Sequence, residues 1–263
     1  MTRAIPLAFF ILLSISTLAM EPFTQPEINN RGWYWVPQPL PPIVDLLESP
    51  DPDRPVYGLY CWASEYLKHH DFIREVGWTN FRLSGPITDA YMRQVAEDGV
   101  EVMFTMPARD PFPTGKHPLG EWRNRGSYDT DEEFLERYLA DVEKVIRRYG
   151  PEGVFFKENP QLPHHPLTYL EVFNEPNFWY LDIAREDKAN HVPPKDPEAR
   201  RLQNESRRKL YAKLLSETYA RIKALNPEIT VVGFGAGGSA SADVGFIADV
   251  HELDKRVRDS YDI

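Results

Sequence analysis

Leu170-Glu171-Val172-Phe173-Asn174-Glu175-Pro176-Asn177-Phe178 is the stretch from which the rest of the chain is read. It opens as an apolar run behind a Pro- and His-rich loop, which suits a short buried strand. Pro176 removes a backbone donor and biases Glu175 toward an extended conformation, so the strand is expected to end there. An amide and a carboxyl group then stand at the rigid end of a strand, with Phe178, Trp179 and Tyr180 just beyond. That placement suits an acid/base catalyst beside an aromatic wall. Asn and Glu at a strand end also cap helices, and on these two residues alone both roles stay open.

Outward from this stretch, strands alternate with helices from residue 56. Val56–Tyr60, Thr79–Ser84, Val100–Met106, Leu170–Phe173 and Ile229–Gly233 read as strands. Glu65–Glu75, Thr88–Asp98, Asp129–Tyr149, Gln203–Leu225 and Gly245–Val257 read as helices. Thr88 or Asp89 stands near a helix start and Gly99 follows a helix end. Phe134, Leu135, Tyr138, Leu139, Val142, Val145 and Ile146 recur at helical spacing, the pattern of an amphipathic helix. Ser260–Ile263 could open a sixth strand. Such alternation implies an α/β fold with a mainly parallel, covered sheet. Two architectures compete, an open doubly wound sheet and a (β/α)8 TIM barrel. Arg82, Pro107, Asn174 and Glu175 are expected at the C-terminal ends of successive strands. A barrel gathers such positions around one mouth, whereas an open sheet focuses them at one switch point, so the barrel is favoured.

Composition sets the class. A 263-residue chain with 42% hydrophobic residues and a net charge of −10 is a soluble globular protein with a large core. The acidic balance, with no basic stripe, argues against a nucleic-acid partner. The 24 prolines suit a loop-rich α/β protein better than a helical bundle. Residues 1–20 read as an export signal: Arg3 is the positive flank, Leu7–Leu13 the apolar run and Thr17-Leu18-Ala19 a small-residue cleavage site. The apolar run is short of the roughly 20 residues a membrane span needs, so a secreted or periplasmic protein is expected. Residues 21–55 hold nine prolines together with Trp33, Tyr34 and Trp35, and form a leader or linker ahead of a catalytic domain over 56–263. Packing is the plainer role for those aromatics. Cys61 is the single cysteine, so it has no internal disulfide partner and reads as a buried thiol. Asn204-Glu205-Ser206 fits a glycosylation pattern too short to decide anything.

Read with Tyr169, the segment YLEVFNEPNF resembles the acid/base segment of the clan A retaining glycoside hydrolases, most closely glycoside hydrolase family 39, the β-xylosidase and α-iduronidase group. Phe104–Pro107 (FTMP) is similar to that family's third-strand ending. Leu210-Tyr211 with Thr218–Pro227 is like its helix into strand five, and Val231–Gly237 (VVGFGAG) like its Gly-rich strand-five end. The resemblance runs from about residue 56 onward and implies a (β/α)8 barrel acting on a plant or microbial oligo- or polysaccharide, without a cofactor. Glu175 then takes the role of general acid/base, Asn174 that of the partner of the sugar 2-hydroxyl, and Arg82 that of the arginine beside the nucleophile. Trp62, Phe178, Trp179 and Tyr180 are candidates for the sugar platform, core packing being the alternative for at least two of them. One feature departs from the pattern. The nucleophile of this clan is a second glutamate ending strand seven, and the sequence reaches only the expected start of strand six. Glu158, Glu205 and Glu252 lie on expected helices or loops and take no such role. The chain is therefore expected to be a barrel fragment, inactive alone and aggregation-prone through its open sheet edges.

Two other classes are weighed. Gly233-Phe234-Gly235-Ala236-Gly237-Gly238 satisfies the dinucleotide-binding GxGxxG pattern after a strand, with Glu252 and Asp254 downstream. The acidic residue of that pattern ends a strand, however, and both of these look helical. A carbohydrate-binding barrel without chemistry would keep the aromatic residues but has no need of Glu175 beside Asn174. No metal motif is present: the seven histidines include no HExxH, and Cys61 has no ligand-spaced His. His164 and His165 read as loop-surface residues, and Glu158-Asn159-Pro160 as a turn.

Overall fold

The computed structural model describes residues 58–76, 79–107, 109–113, 125–178, 181, 195–235 and 240–263. The expected export signal and most of the leader, together with Trp179, Tyr180 and residues 236–238 of the glycine motif, lie outside them. Among the described residues, five strands and six α-helices follow in order: β1 (Gly58–Trp62), α1 (Ala63–Val76), β2 (Asn80–Ser84), α2 (Asp89–Asp98), β3 (Glu101–Thr105), α3 (Asp131–Tyr149), α4 (Val154–Glu158), β4 (Tyr169–Glu171), α5 (Pro197–Leu225), β5 (Thr230–Val232) and α6 (Ala240–Leu253). No helix among the described residues is long and apolar enough to cross a membrane.

The strands form one parallel sheet in the order β1-β2-β3-β4-β5. Sequence neighbours are spatial neighbours throughout, so the described strands contain no switch point of the doubly wound kind. The two faces differ in chemistry because side chains alternate along a strand. Phe81, Leu83, Val102, Phe104, Leu170 and Val231 face the helices and are buried. Tyr60, Trp62, Arg82, Ser84, Met103, Thr105, Tyr169 and Glu171 share the other face by register. That second face is polar and aromatic, and it carries the candidate site.

Local signals account for most element ends. The Thr88 hydroxyl accepts the Tyr91 N–H at 3.1 Å and caps α2. Gly99 closes it at φ 67, the left-handed geometry in which glycine has no Cβ penalty. Thr130 caps α3 by accepting the Glu133 N–H, and the whole expected apolar stripe of that helix is buried.

Most boundaries shift by one or two residues, as in β1, which runs to Trp62 rather than Tyr60, and several differ in a more telling way. Helix α5 starts at Pro197 rather than Gln203, because the Asp196 carboxylate accepts the Ala199 N–H at 3.1 Å and Pro197 fits the first helical position. Strand β4 ends at Glu171 rather than Phe173, since Phe173 has φ 65 and cannot continue an extended strand. Residues Val154–Glu158 form a one-turn helix where a loop was expected, leaving Glu158 helical and Asn159 as its C-cap. Helix α6 spans Ala240–Leu253 and gives way to a 3-10 turn over Lys255–Asp259, which Asp254 caps by accepting the Arg256 N–H. Finally, residues 260–263 are assigned no strand. They still run beside β5: the Asp262 N–H donates to Val231 O at 2.8 Å and the Gly233 N–H to Ile263 O at 2.9 Å.

Gly99→Ala tests the capping account. The nearest atom to an added Cβ would be His165 Nε2 at 3.8 Å, ordinary contact, so the cost is conformational alone. A loss of about 1–2 kcal/mol is expected in urea unfolding with an unchanged m-value.

Candidate functional site

The polar face of the sheet is organised by a charge pair between second neighbours. Arg82 lies in the middle of β2, not at its end as the sequence suggested, and its side chain reaches across β3 to β4. Its Nε donates to Glu171 Oε2 at 2.9 Å, and Nη2 lies 2.8 Å from the same oxygen. Nη2 also donates to Asn174 Oδ1 at 3.0 Å. The Thr105 hydroxyl donates to Glu171 Oε2 as well. Glu171 is 3% exposed, so its carboxylate is compensated by protein donors rather than by bulk water. The Tyr60 ring covers the guanidinium, whose central carbon is 5.1 Å from the ring centroid.

Past Glu171 the backbone turns through two left-handed residues, Phe173 at φ 65 and Glu175 at φ 53. Glu175 is therefore not extended, as the proline rule had suggested. The turn overrides that bias because both Glu175 backbone groups are used: its N–H donates to Gly235 O at 2.7 Å, and its carbonyl accepts the Phe178 N–H at 2.9 Å. A non-glycine residue held left-handed costs roughly 1–3 kcal/mol, and such residues concentrate at functional sites. Asn174 sits between the two, bridged to Gly235 beyond the end of β5. Tyr211 of α5 fastens the same exit from outside: its hydroxyl donates to Val172 O at 3.3 Å and accepts the Phe234 N–H at 2.8 Å. Phe234 is left-handed too, at φ 56.

The structure thus places Asn174 and Glu175 just past the C-terminal end of β4 and brings the Arg82 side chain to Asn174. Of the aromatic candidates among the described residues, it places Trp62 and Phe178 apart. Trp62, 42% exposed, lies against Gly85, whose missing Cβ would stand 2.9 Å from the indole Cε3. It lines a cavity of about 120 Å3 with Ser84, Pro86 and Tyr91. Phe178, 37% exposed, lines a different cavity of about 300 Å3 with Asn177, Asn204, Arg207, Arg208 and Phe246. Trp179 and Tyr180 lie outside the described residues. His164 and His165 precede β4, at the end of the sheet opposite Glu175, and His164 is bonded to the Pro151 carbonyl. Glu158 pairs with Arg148, Glu205 pairs with Arg201 and Lys209, and Glu252 is on α6. None of these three stands at a strand end.

Sequence reasoning passed over Glu171 and Thr105. The available signal was a carboxylate inside an apolar strand run, which needs a buried partner. Gly235, read as a possible phosphate-cradling glycine, has a different task. A Cβ there would collide with the Glu171 carboxylate, so the glycine makes room for a protein acid. Among the described residues, no group of three His, Cys, Asp or Glu side chains is arranged to hold a metal ion.

No family model matches the chain. No curated protein matches it in sequence either. Among solved structures it is similar to a family 39 glycoside hydrolase from the gut symbiont Bacteroides cellulosilyticus WH2. Identity is 19% and the TM-score 0.44, over 78% of this chain and 36% of that one.

Two outcomes follow from this geometry. Gly235→Ala forces the Glu171 carboxylate away from Arg82, so a loss of about 1–3 kcal/mol is expected in urea unfolding. Cys61 is only partly buried. Burial first, and the Glu65 carboxylate second, push its thiol up to about 11. At pH 8 about one molecule in a thousand carries the reactive thiolate, so alkylation by iodoacetamide should run roughly two hundredfold slower than at a free cysteine. Labelling at the free-thiol rate would show that the environment of β1 is wrong.

Proposed function

We propose that residues 56–263 form part of a (β/α)8 barrel of a retaining glycoside hydrolase, with Glu175 as its general acid/base. The observation that carries this reading is the exit of β4. Glu175 is held left-handed by its own backbone hydrogen bonds, next to an asparagine whose amide is fixed by an arginine paired with a buried carboxylate. The resemblance of the Asn-Glu-Pro segment to the clan A acid/base segment supports the same assignment, as does the sequential order of the parallel strands.

In this mechanism a protonated Glu175 gives its proton to the departing glycosidic oxygen and then takes one from the attacking water. A second carboxylate about 5–5.5 Å away forms the glycosyl ester between those steps. Such barrels carry that carboxylate on strand seven, whereas the described residues comprise five strands. Asn174 holds the sugar 2-hydroxyl, a contact that tightens as the oxocarbenium-like transition state forms. The substrate class is a plant or microbial glycan, and Trp62 and Phe178 offer two separate apolar surfaces to it. The reading includes residues 1–20 as an export signal and 21–55 as a leader, placing the protein outside the cytoplasm.

The acid/base role has a distinctive kinetic mark. In a protein that also carries the strand-seven carboxylate, Glu175→Gln should cut turnover of alkyl glycosides about 10²- to 10⁴-fold. Dinitrophenyl glycosides, whose leaving group needs no proton, should lose far less in the glycosylation step. An equal loss on both substrates, or none on either, sinks the assignment.

A further inference from the structure

We infer that Glu171 is a positioning residue: its buried carboxylate locks the Arg82 guanidinium, which in turn sets the Asn174 amide so that Nδ2 faces the ligand as a hydrogen-bond donor. This inference rests on the glycosidase reading for the identity of the ligand, a sugar hydroxyl oxygen. It does not rest on that reading for the geometry.

The orientation of an asparagine amide is ordinarily ambiguous, because its oxygen and nitrogen are nearly the same size. Here the neighbour removes the ambiguity. A guanidinium has five donors and no acceptor, so the Asn174 atom 3.0 Å from Arg82 Nη2 must be the carbonyl oxygen. The amide nitrogen is thereby turned away from Arg82, and among the described residues it has no hydrogen-bond partner. Asn174 is half-buried, so this N–H pair is a donor held at the edge of the sheet mouth with no partner among the described residues.

Arg82 can fix the amide only if its own side chain is fixed. An unrestrained arginine carries about 2 kcal/mol of rotamer entropy. Three features hold it: two nitrogens on Glu171 Oε2, the Tyr60 ring over its face, and its third contact to Asn174. Glu171 is fixed in turn by the Thr105 hydroxyl and by the space that Gly235 leaves open. The chain of constraint runs Thr105 and Gly235 to Glu171, to Arg82, to the Asn174 oxygen. Only the last member meets the ligand. Glu171 is two positions further along β4 than Tyr169, the residue in register with Arg82 through Met103, so the arginine leans toward the mouth rather than straight across.

The test reads the amide directly. In the 263-residue protein labelled with 15N-asparagine, the Asn174 side-chain resonances are assigned by their disappearance in Asn174→Asp. Glu171→Gln and Arg82→Lys are then compared with the parent. Arg82→Lys keeps a cation beside Glu171 but loses the second prong, so it remains informative where Glu171→Gln fails to fold. Both folded variants are expected to move the Asn174 amide pair toward free-amide shifts, and a cooperative thermal transition of Arg82→Lys shows that the amide moved in a folded protein. Asn174 resonances left at their parent positions in either folded variant overturn the inference. A second titration, with methyl β-D-glucopyranoside and its 2-deoxy counterpart, tests the ligand separately. Perturbation of the Asn174 pair by the first sugar and roughly tenfold less by the second supports the sugar hydroxyl as acceptor. Equal perturbation, or none from either, overturns the sugar assignment and leaves the amide result to stand or fall by itself.

Discussion

A carboxylate buried inside a parallel sheet is the constraint on which this molecule turns. Taking the Glu171 charge out of water costs several kcal/mol unless good geometry and further hydrogen bonds repay it. Repayment comes from three sides of one oxygen: two nitrogens of Arg82 and the Thr105 hydroxyl. The donors lie on β2 and β3 and the carboxylate on β4, so the pair is satisfied only when all three strands are in register. Gly235 extends the constraint beyond β5, because any side chain there would occupy the carboxylate's place. Removing one member strands the others, which is why loss of a single partner of such a pair typically costs about 3–5 kcal/mol.

The division of the sheet into two faces follows from the same economy. One face is wholly apolar where the helices pack, and it supplies the core. The other can then be given over to polar and aromatic groups, with Arg82 and Glu171 at its centre. Strain is concentrated where that face meets the loops. Among the described residues, Phe173, Glu175 and Phe234 are the non-glycine residues with positive φ, and all three flank the exits of β4 and β5. Tyr211 ties those exits together from the helix side, so the strained turn is held by packed structure rather than by the turn itself.

Much of the fold was legible in advance because its signals are local. Thr88 and Gly99 mark both ends of α2, and the apolar spacing from Phe134 to Ile146 marks the buried side of α3. The early start of α5 was legible as well, in Asp196-Pro197, but was overlooked for want of apolar periodicity before Leu210. At the candidate site, Asn174 and Glu175 stood out because a proline follows them in an otherwise apolar run. Arg82 stood out as an expected strand-end residue matching the arginine of the resembling family, whereas it lies in the middle of β2. Its true position depends on register with β1 and β3, and no local pattern encodes that.

The sequence by itself therefore determined the alternation of strands and helices, the helix caps and the candidacy of Asn174 and Glu175, since each depends on residues within a few positions of one another. Only the tertiary structure decided that Arg82 belongs to Glu171 and Asn174, that Gly235 exists to accommodate a carboxylate, and that Glu175 is left-handed rather than extended. Those outcomes join residues up to 92 positions apart, as Arg82 and Asn174 are. They also separated Trp62 from Phe178, which the sequence had grouped by residue type. Chemistry of this kind is set by which strands lie side by side, and strand adjacency is a property of the folded sheet.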